Sequence, residues 1–257
     1  MVTLERTRKD APWAWLKAGF ADMMSAPVIS IGYGAAFTLA GVLITVGLWS
    51  IGQAAMTPVL AGGFALVAPA FAVGIYRINQ VREEGKTPGL LDFWSLPAGR
   101  IGQLALLSVL LLVFFLTWAR LAQFLYAAFT VGNSMPAGEF TQFLFTDPAG
   151  LTLLVVGTAI GAVLAFVTFA VSALAFPMLT DQDVDAVTAV VASVKAVLQQ
   201  PFTMLTWAWL IAFFVAVGSA LFFVGLALAF PWLAHASWRA YRDFDPKPEP
   251  SASAVRG

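Results

Sequence analysis

A chain of 257 residues with 60% apolar and 11% charged residues lies outside the range of soluble domains, where about a quarter of residues carry charge. Its basic and acidic residues cancel, and it has no cysteine, which excludes disulfides, thiolate nucleophiles and cysteine-held metals. Apolar runs of ~20 residues suit the ~30 Å of bilayer hydrocarbon, where only helices or a closed barrel satisfy the backbone. The run from Leu104 to Trp118 does not alternate apolar with polar, which argues against barrel strands. The expected fold class is an all-α membrane protein.

Met1 to Asp10 is charged and leads into no short apolar core with a cleavage site, so no removable signal peptide is expected. Residues 12–26 place Trp13, Leu16, Phe20, Met23 and Met24 on one helical face, with Lys17 and Asp22 off it. This predicts an interfacial amphipathic helix, separated from the first span by Pro27. Span one is expected over 28–51, with Gly32, Ala36 and Ala40 repeating every four residues for close helix contact. After a short uncharged turn, span two covers 58–78. In it Pro69 leaves the Ala65 carbonyl without its helical donor and makes a kink. The charged segment that follows carries Leu90, Leu91, Phe93, Trp94 and Leu96, expected to skim the membrane surface.

Span three, 103–129, holds Arg120 about 25 Å along its axis, near the far interface. Two readings stand for it. It snorkels among Trp118, Phe124 and Tyr126, or it forms an intramembrane ion pair with Glu139 or Asp147 of the next loop. That loop has Phe140, Phe143 and Leu144 at helical spacing and is expected to dip into the outer interface. Span four, 149–178, offers Gly157 and Gly161 for helix packing and ends at Pro177. Thr180 and Asp183 have capping-box spacing before an amphipathic helix with Val184, Val187, Val191, Val194 and Leu198. The triplet Asp181, Asp183, Asp185 lacks the glycine and glutamate of a calcium loop, with Ala186 and Ala192 in their places. It reads as a helix start. Spans five and six, 196–217 and 219–238, share one apolar run with a tight reversal at Gly218-Ser219 and a second kink at Pro231. Residues 1–242 thus form a single six-helix membrane domain, and 243–257, with three prolines, a disordered cytoplasmic tail.

Charge sets the threading. Basic residues precede span one (Arg6, Arg8, Lys9, Lys17) and follow spans two (Arg77, Arg82, Lys86, Arg100), four (Lys195) and six (Arg239, Arg242, Lys247, Arg256). The loops after spans one, three and five have none. Six spans with both termini cytoplasmic satisfy the positive-inside rule. Pro27, Pro69 and Arg77 match Pro201, Pro231 and Arg239, and each hairpin follows an amphipathic stretch. This suggests a parallel internal repeat of spans 1–2 and 5–6.

Three segments carry a family likeness: Ala68-Pro69 through Tyr76-Arg77, Phe176 through Ala186 with Ser193, and Pro231 through Asp243 with its His-Ala-Ser-Trp-x-Ala-Tyr-Arg-Asp signature. With these the chain resembles the bacterial predicted integral membrane family catalogued as domain of unknown function 2189. Members often carry His where Arg239 stands here. More distantly, 177–198 resembles membrane domains attached to some glycerophosphodiester phosphodiesterases. The resemblance implies a multi-pass protein of the bacterial inner membrane and brings no activity with it. A label akin to cytochrome oxidase subunit I, borne by some relatives, does not transfer, because haem and copper ligation need several histidines and this chain has one.

No acid falls inside the expected spans, which disfavours a carboxylate-driven transporter, and no catalytic set, metal site or cofactor is expected. His235 reads as a polar helix residue bonded between spans, or as a pH-sensing or ligand contact. Arg77 and Arg239 read as interface anchors or as an anionic-headgroup site. Two functional expectations follow. One is a non-enzymatic scaffold or accessory protein of another inner-membrane complex. The other is a transporter or amphiphile-binding protein with a site between spans two and six, beneath Pro69 and Pro231, using Arg77, His235 and Arg239. Expected partners are membrane lipids and that complex, with no nucleic acid.

Overall fold

The computed structural model describes residues 2–53, 56–89, 92–93, 95–130, 135–220 and 224–248. Among them the helices are α1 (Ala11–Ser25), α2 (Pro27–Ser50), α3 (Thr57–Phe71), α4 (Val73–Glu83), α5 (Ala98–Phe129), α6 (Ala137–Thr146), α7 (Pro148–Ser172), α8 (Ala175–Asp181), α9 (Ala186–Gln199), α10 (Pro201–Ala220) and α11 (Leu226–Phe244). A two-residue strand, Val2–Thr3, pairs antiparallel with Lys247–Pro248. Five stretches among the described residues are long and apolar enough to cross a membrane: Pro27–Ser50, Val59–Glu83, Ala98–Phe129, Pro148–Asp181 and Pro201–Ala220. The region expected as span six is α11. It is not among the five because Trp232, His235, Arg239 and Arg242 break its apolar character.

Prolines punctuate the chain. Pro27, Pro148 and Pro201 begin α2, α7 and α10, where a missing N–H leaves no bond unmade. A residue before proline is pushed out of the helical region. Ala26 (φ −138°, ψ 60°) and Gln200 (φ −131°, ψ 57°) adopt nearly the same conformation at the α1–α2 and α9–α10 joints. Span five therefore begins at Pro201 rather than at 196, whose residue belongs to α9. Pro177 does not end its span. It sits inside α8, and the helix breaks four residues earlier, around Ala173, where the proline ring would meet the carbonyl. Span two breaks at Ala72, three residues past Pro69, and the Phe71 carbonyl accepts a hydrogen bond from the Tyr33 hydroxyl at 2.6 Å.

Several expected faces are turned. On α1 the buried stripe is Trp15, Leu16, Gly19, Asp22 and Met23, while Trp13, Phe20 and Met24 face outward. On α9 alanines 186, 189, 192 and 196 point inward, and Val187 and Leu198 are 69% and 74% exposed. On α2, Ser30 and Gly34 are buried, and Gly32, Ala36 and Ala40 look outward. Lipid is as apolar as leucine, so hydrophobicity does not mark the inner face, and on α9 it is the small residues that meet other helices. The box at Thr180 and Asp183 does not open α9. Asp185 caps it, accepting from the Thr188 N–H at 2.9 Å. Phe93 does not skim the surface but stacks on Tyr33 at 4.6 Å, and Leu90, Leu91 and Trp94 lie outside the described residues.

The segments expected on one side of the membrane do gather at one end of the bundle. The Glu5 N–H donates to the Phe244 carbonyl at 2.9 Å, and the Thr7 N–H to Gln200 Oε1 at 2.9 Å. The N-terminal segment thus touches both the start of α10 and the finish of α11. The expected tail is folded as far as Pro248: Phe244 is fully buried against Trp15, and the Pro246 carbonyl accepts from Gln182.

Candidate functional site

The single histidine lies where three helices meet. His235 (α11), Ser30 (α2) and Asn79 (α4) are all buried, with Ser30 Oγ 2.9 Å from Nε2 and Asn79 Oδ1 2.8 Å from Nδ1. Asn79 donates its amide N–H to the Ile75 carbonyl at 3.1 Å, which turns its oxygen toward the ring. That oxygen only accepts, so Nδ1 carries the proton and Nε2 accepts from Ser30. The trio pins α2 and α4 to α11, and every polar atom in it has a partner. Ser30→Ala is expected to lower stability by about 1–2 kcal/mol by stranding a buried acceptor, readable as a lower midpoint of thermal unfolding in detergent.

Beneath the trio runs a layer of ion pairs that sequence spacing did not reveal. Asp22 of α1 is buried and takes two hydrogen bonds from Arg239, at 2.5 Å from Nε and 2.6 Å from Nη2, with Arg82 Nη1 3.3 Å away. Burial opposes its charge, but the Arg239 bonds and the two positive charges outweigh that and hold its carboxyl below the usual range. Beside it Arg242 bridges Glu83 (2.6 Å) and Asp181 (2.7 Å) and lies over the Trp238 ring. Tyr241 donates to Asp181, Trp238 to Glu83, and Arg100 to the Thr180 carbonyl. The layer joins α1, α4, α5, α8 and α11.

Above the layer the bundle is hollow. A cavity of about 460 Å³ lies between α3–α4, α7, α10 and α11 at the Pro69 kink, lined by Ala65, Pro69, Phe169, Ala208, Phe230 and Ala234 among others. A second, of about 250 Å³, adjoins it across Ala65, Ala68 and Phe230, toward α2 and α5. Leu205, Trp209 and Phe166 line the larger cavity and are exposed on the bundle surface. Both volumes are lined almost wholly by apolar groups.

Of the residues singled out in the sequence, Pro69 lines the larger cavity as expected. Arg77, His235 and Arg239 line neither cavity. Arg77 bonds Ser95 and Gln80 and stands 3.6 Å from Glu84. It shares no partner with Arg239. Arg120 bonds Gln123 at 3.2 Å, and Asp147 caps α7 through the Ala149 N–H. Among the described residues no ion pair joins Arg120 to Glu139 or Asp147. Gly161 packs on the Trp118 ring, but a side chain at Gly157 would meet nothing within 4 Å, so the two glycines are not one seam. Pro231 works differently from Pro69. The Ala227 carbonyl it leaves without a donor abuts Gly34 of α2. Among the described residues no group of three His, Cys, Asp or Glu could hold a metal.

Against known proteins, the family described as predicted integral membrane protein (DUF2189) matches residues 56–181. No curated protein and no solved structure matches the chain. Together with the five membrane-length helices, the family match makes this a multi-pass integral membrane protein.

Proposed function

With residues 56–181 those of a predicted integral membrane protein (DUF2189), we propose that the chain is a lipid- or amphiphile-binding protein of the bacterial inner membrane, with its site in the cavity at the Pro69 kink. One observation carries the reading: a volume of about 460 Å³, within the ~300–1,000 Å³ of small-molecule sites, with a mouth formed by residues that face lipid. The site lies between span two and α11, where the expected one was, but without Arg77, His235 and Arg239. Six crossings with both termini cytoplasmic suit this arrangement. α10 leaves the end of the bundle that holds the N-terminus and α11 returns to it, and 19 residues rise about 28 Å. The outward faces of α1 and α9 suit helices lying in the inner interface. The matched joints at Ala26 and Gln200 support the internal repeat, as does the stacking of Tyr76 on the corresponding Trp238 at 6.1 Å.

Filling the cavity tests the reading. Ala208→Phe is expected to keep the protein folded and to remove the stabilisation that a bound amphiphile gives. That stabilisation is about 2.7 kcal/mol when ligand exceeds its Kd a hundredfold. An unchanged ligand-dependent rise in melting temperature in the variant would count against it. A second reading, a non-enzymatic scaffold or accessory protein of another inner-membrane complex, is favoured by the outward stripe of Gly32, Ala36 and Ala40 on α2, which suits close approach of a foreign helix. A partner recovered in fixed ratio from gentle detergent, and lost on Ala36→Leu, supports that reading.

A further inference from the structure

The proposed repeat places two helix pairs in corresponding positions, α2 with α11 and α10 with α3, and they differ. In the first pair α2 closes on α11: Gly34 sits against the Ala227 carbonyl, and a Cβ there would come within 2.9 Å of Pro231 Cδ. The corresponding residues of the second pair are Ala208 of α10 and Ala65 and Pro69 of α3. These three do not close on one another; they line the larger cavity. Pro69, like Pro231, has no N–H to return to the carbonyl four residues back, so Ala65 brings to the cavity an acceptor without its helical donor.

The other polar groups of the lining point the same way. Thr168 and Ser172 donate their hydroxyl protons one turn back, to the Leu164 carbonyl at 2.8 Å and the Thr168 carbonyl at 2.7 Å, which leaves their oxygens as acceptors. Tyr76 and Ser237 also line the cavity, and their hydroxyls can give a proton as well as accept one. Among the described residues no lysine, arginine or histidine lines the cavity. In the layer below, Arg82, Arg239 and Arg242 are held by Asp22, Glu83 and Asp181, and Arg100 by the Thr180 carbonyl. A carboxylate or phosphate brings only lone pairs and a negative charge, and would be buried among acceptors with no cation, at high cost. An alcohol both donates and accepts.

We propose that this cavity binds an uncharged, hydroxyl-bearing amphiphile drawn from the bilayer, its chain along the apolar lining and its hydroxyl among Ala65 O, Thr168, Ser172, Tyr76 and Ser237. The proposal rests on the amphiphile-binding reading and adds the headgroup class. The test uses the full chain, purified and delipidated in detergent, with thermal unfolding and native mass spectrometry in the presence of 1-monooleoylglycerol or of oleate at equal concentration. The expected result is a clear rise in melting temperature with monooleoylglycerol and a rise several-fold smaller with oleate. The double variant Thr168→Val, Ser172→Ala should narrow that difference while still binding the chain. Equal or greater stabilisation by oleate overturns the headgroup class and leaves the amphiphile site standing. No stabilisation by either, with Ala208→Phe indistinguishable from the unaltered protein, overturns both.

Discussion

Replacing Asp22 with Asn is expected to destabilise the purified protein by about 2–4 kcal/mol at neutral pH. Removing one partner of a buried pair costs ~3–5 kcal/mol because the other charge is left uncompensated. The lower range applies because the Arg239 side chain is 41% exposed while that of Asp22 is 6% exposed. The loss should fall on the seating of α1, which otherwise rests on Trp15, on the Trp232 bond to the Leu16 carbonyl and on Gly19 against Ala236. The effect carries a pH signature. The folded-state pKa of Asp22 is lowered by Arg239 and Arg82 against the opposing effect of burial, so its stabilisation is complete above the usual carboxylate value of about 3.9. It disappears as pH falls through the lowered value. The gap in melting temperature between the unaltered protein and Asp22→Asn should therefore be widest near neutrality and close in acid. The exposed pair of Arg8 and Asp10 supplies the control, since Asp10→Asn should leave the transition unmoved. Equal melting of Asp22→Asn and unaltered protein at pH 7 would remove Asp22 from the framework.

Much of the membrane architecture could be read in advance, and the reason is physical. Hydrocarbon demands long apolar runs and proline suits helix starts, so the starts of α2 and α7 follow from Pro27 and Pro148, whereas span five was expected from 196 and begins at Pro201. What could not be read is which side of each helix faces protein. In water, hydrophobicity marks the inside. In lipid it does not, and Val187, Leu198, Trp13 and Phe20 face outward while Ala189, Ala192, Gly19 and Gly34 face in. Asp22 looked like an outward residue for the same reason, an isolated acid on an apolar helix. Its partner is 217 residues away, a separation no local pattern reports. His235 was visible as the only histidine, but Ser30 and Asn79 were not, since a lone serine and asparagine in apolar helices have no spacing that joins them. The hollow at Pro69 was legible as a kink and as a site between spans two and six, but with Arg77, His235 and Arg239 in it, none of which lines it.

Gly34 bears the second large expected effect. A methyl group there would overlap the Ala227 carbonyl and come within 2.9 Å of Pro231 Cδ. Neither can rotate aside, since one is backbone and the other is a ring locked to it. Overpacking costs ~1–3 kcal/mol where side chains can shift, and occasionally more, so Gly34→Ala belongs at or beyond about 3 kcal/mol. Two residues away, a side chain at Gly32 meets nothing within 4 Å, and Gly32→Ala should be neutral or gain up to about 1 kcal/mol from helix propensity. Both variants add one methyl to the same helix, so the comparison of their unfolding midpoints in detergent isolates the α2–α11 seam. Parting that seam would also pull Ser30 from His235 Nε2, whose bond spans 2.9 Å. Gly34→Ala should therefore gain little further damage from Ser30→Ala, whereas Gly32→Ala should show the full effect of the serine change. Equal midpoints for Gly34→Ala and Gly32→Ala would mean that α2 and α11 do not meet at Pro231.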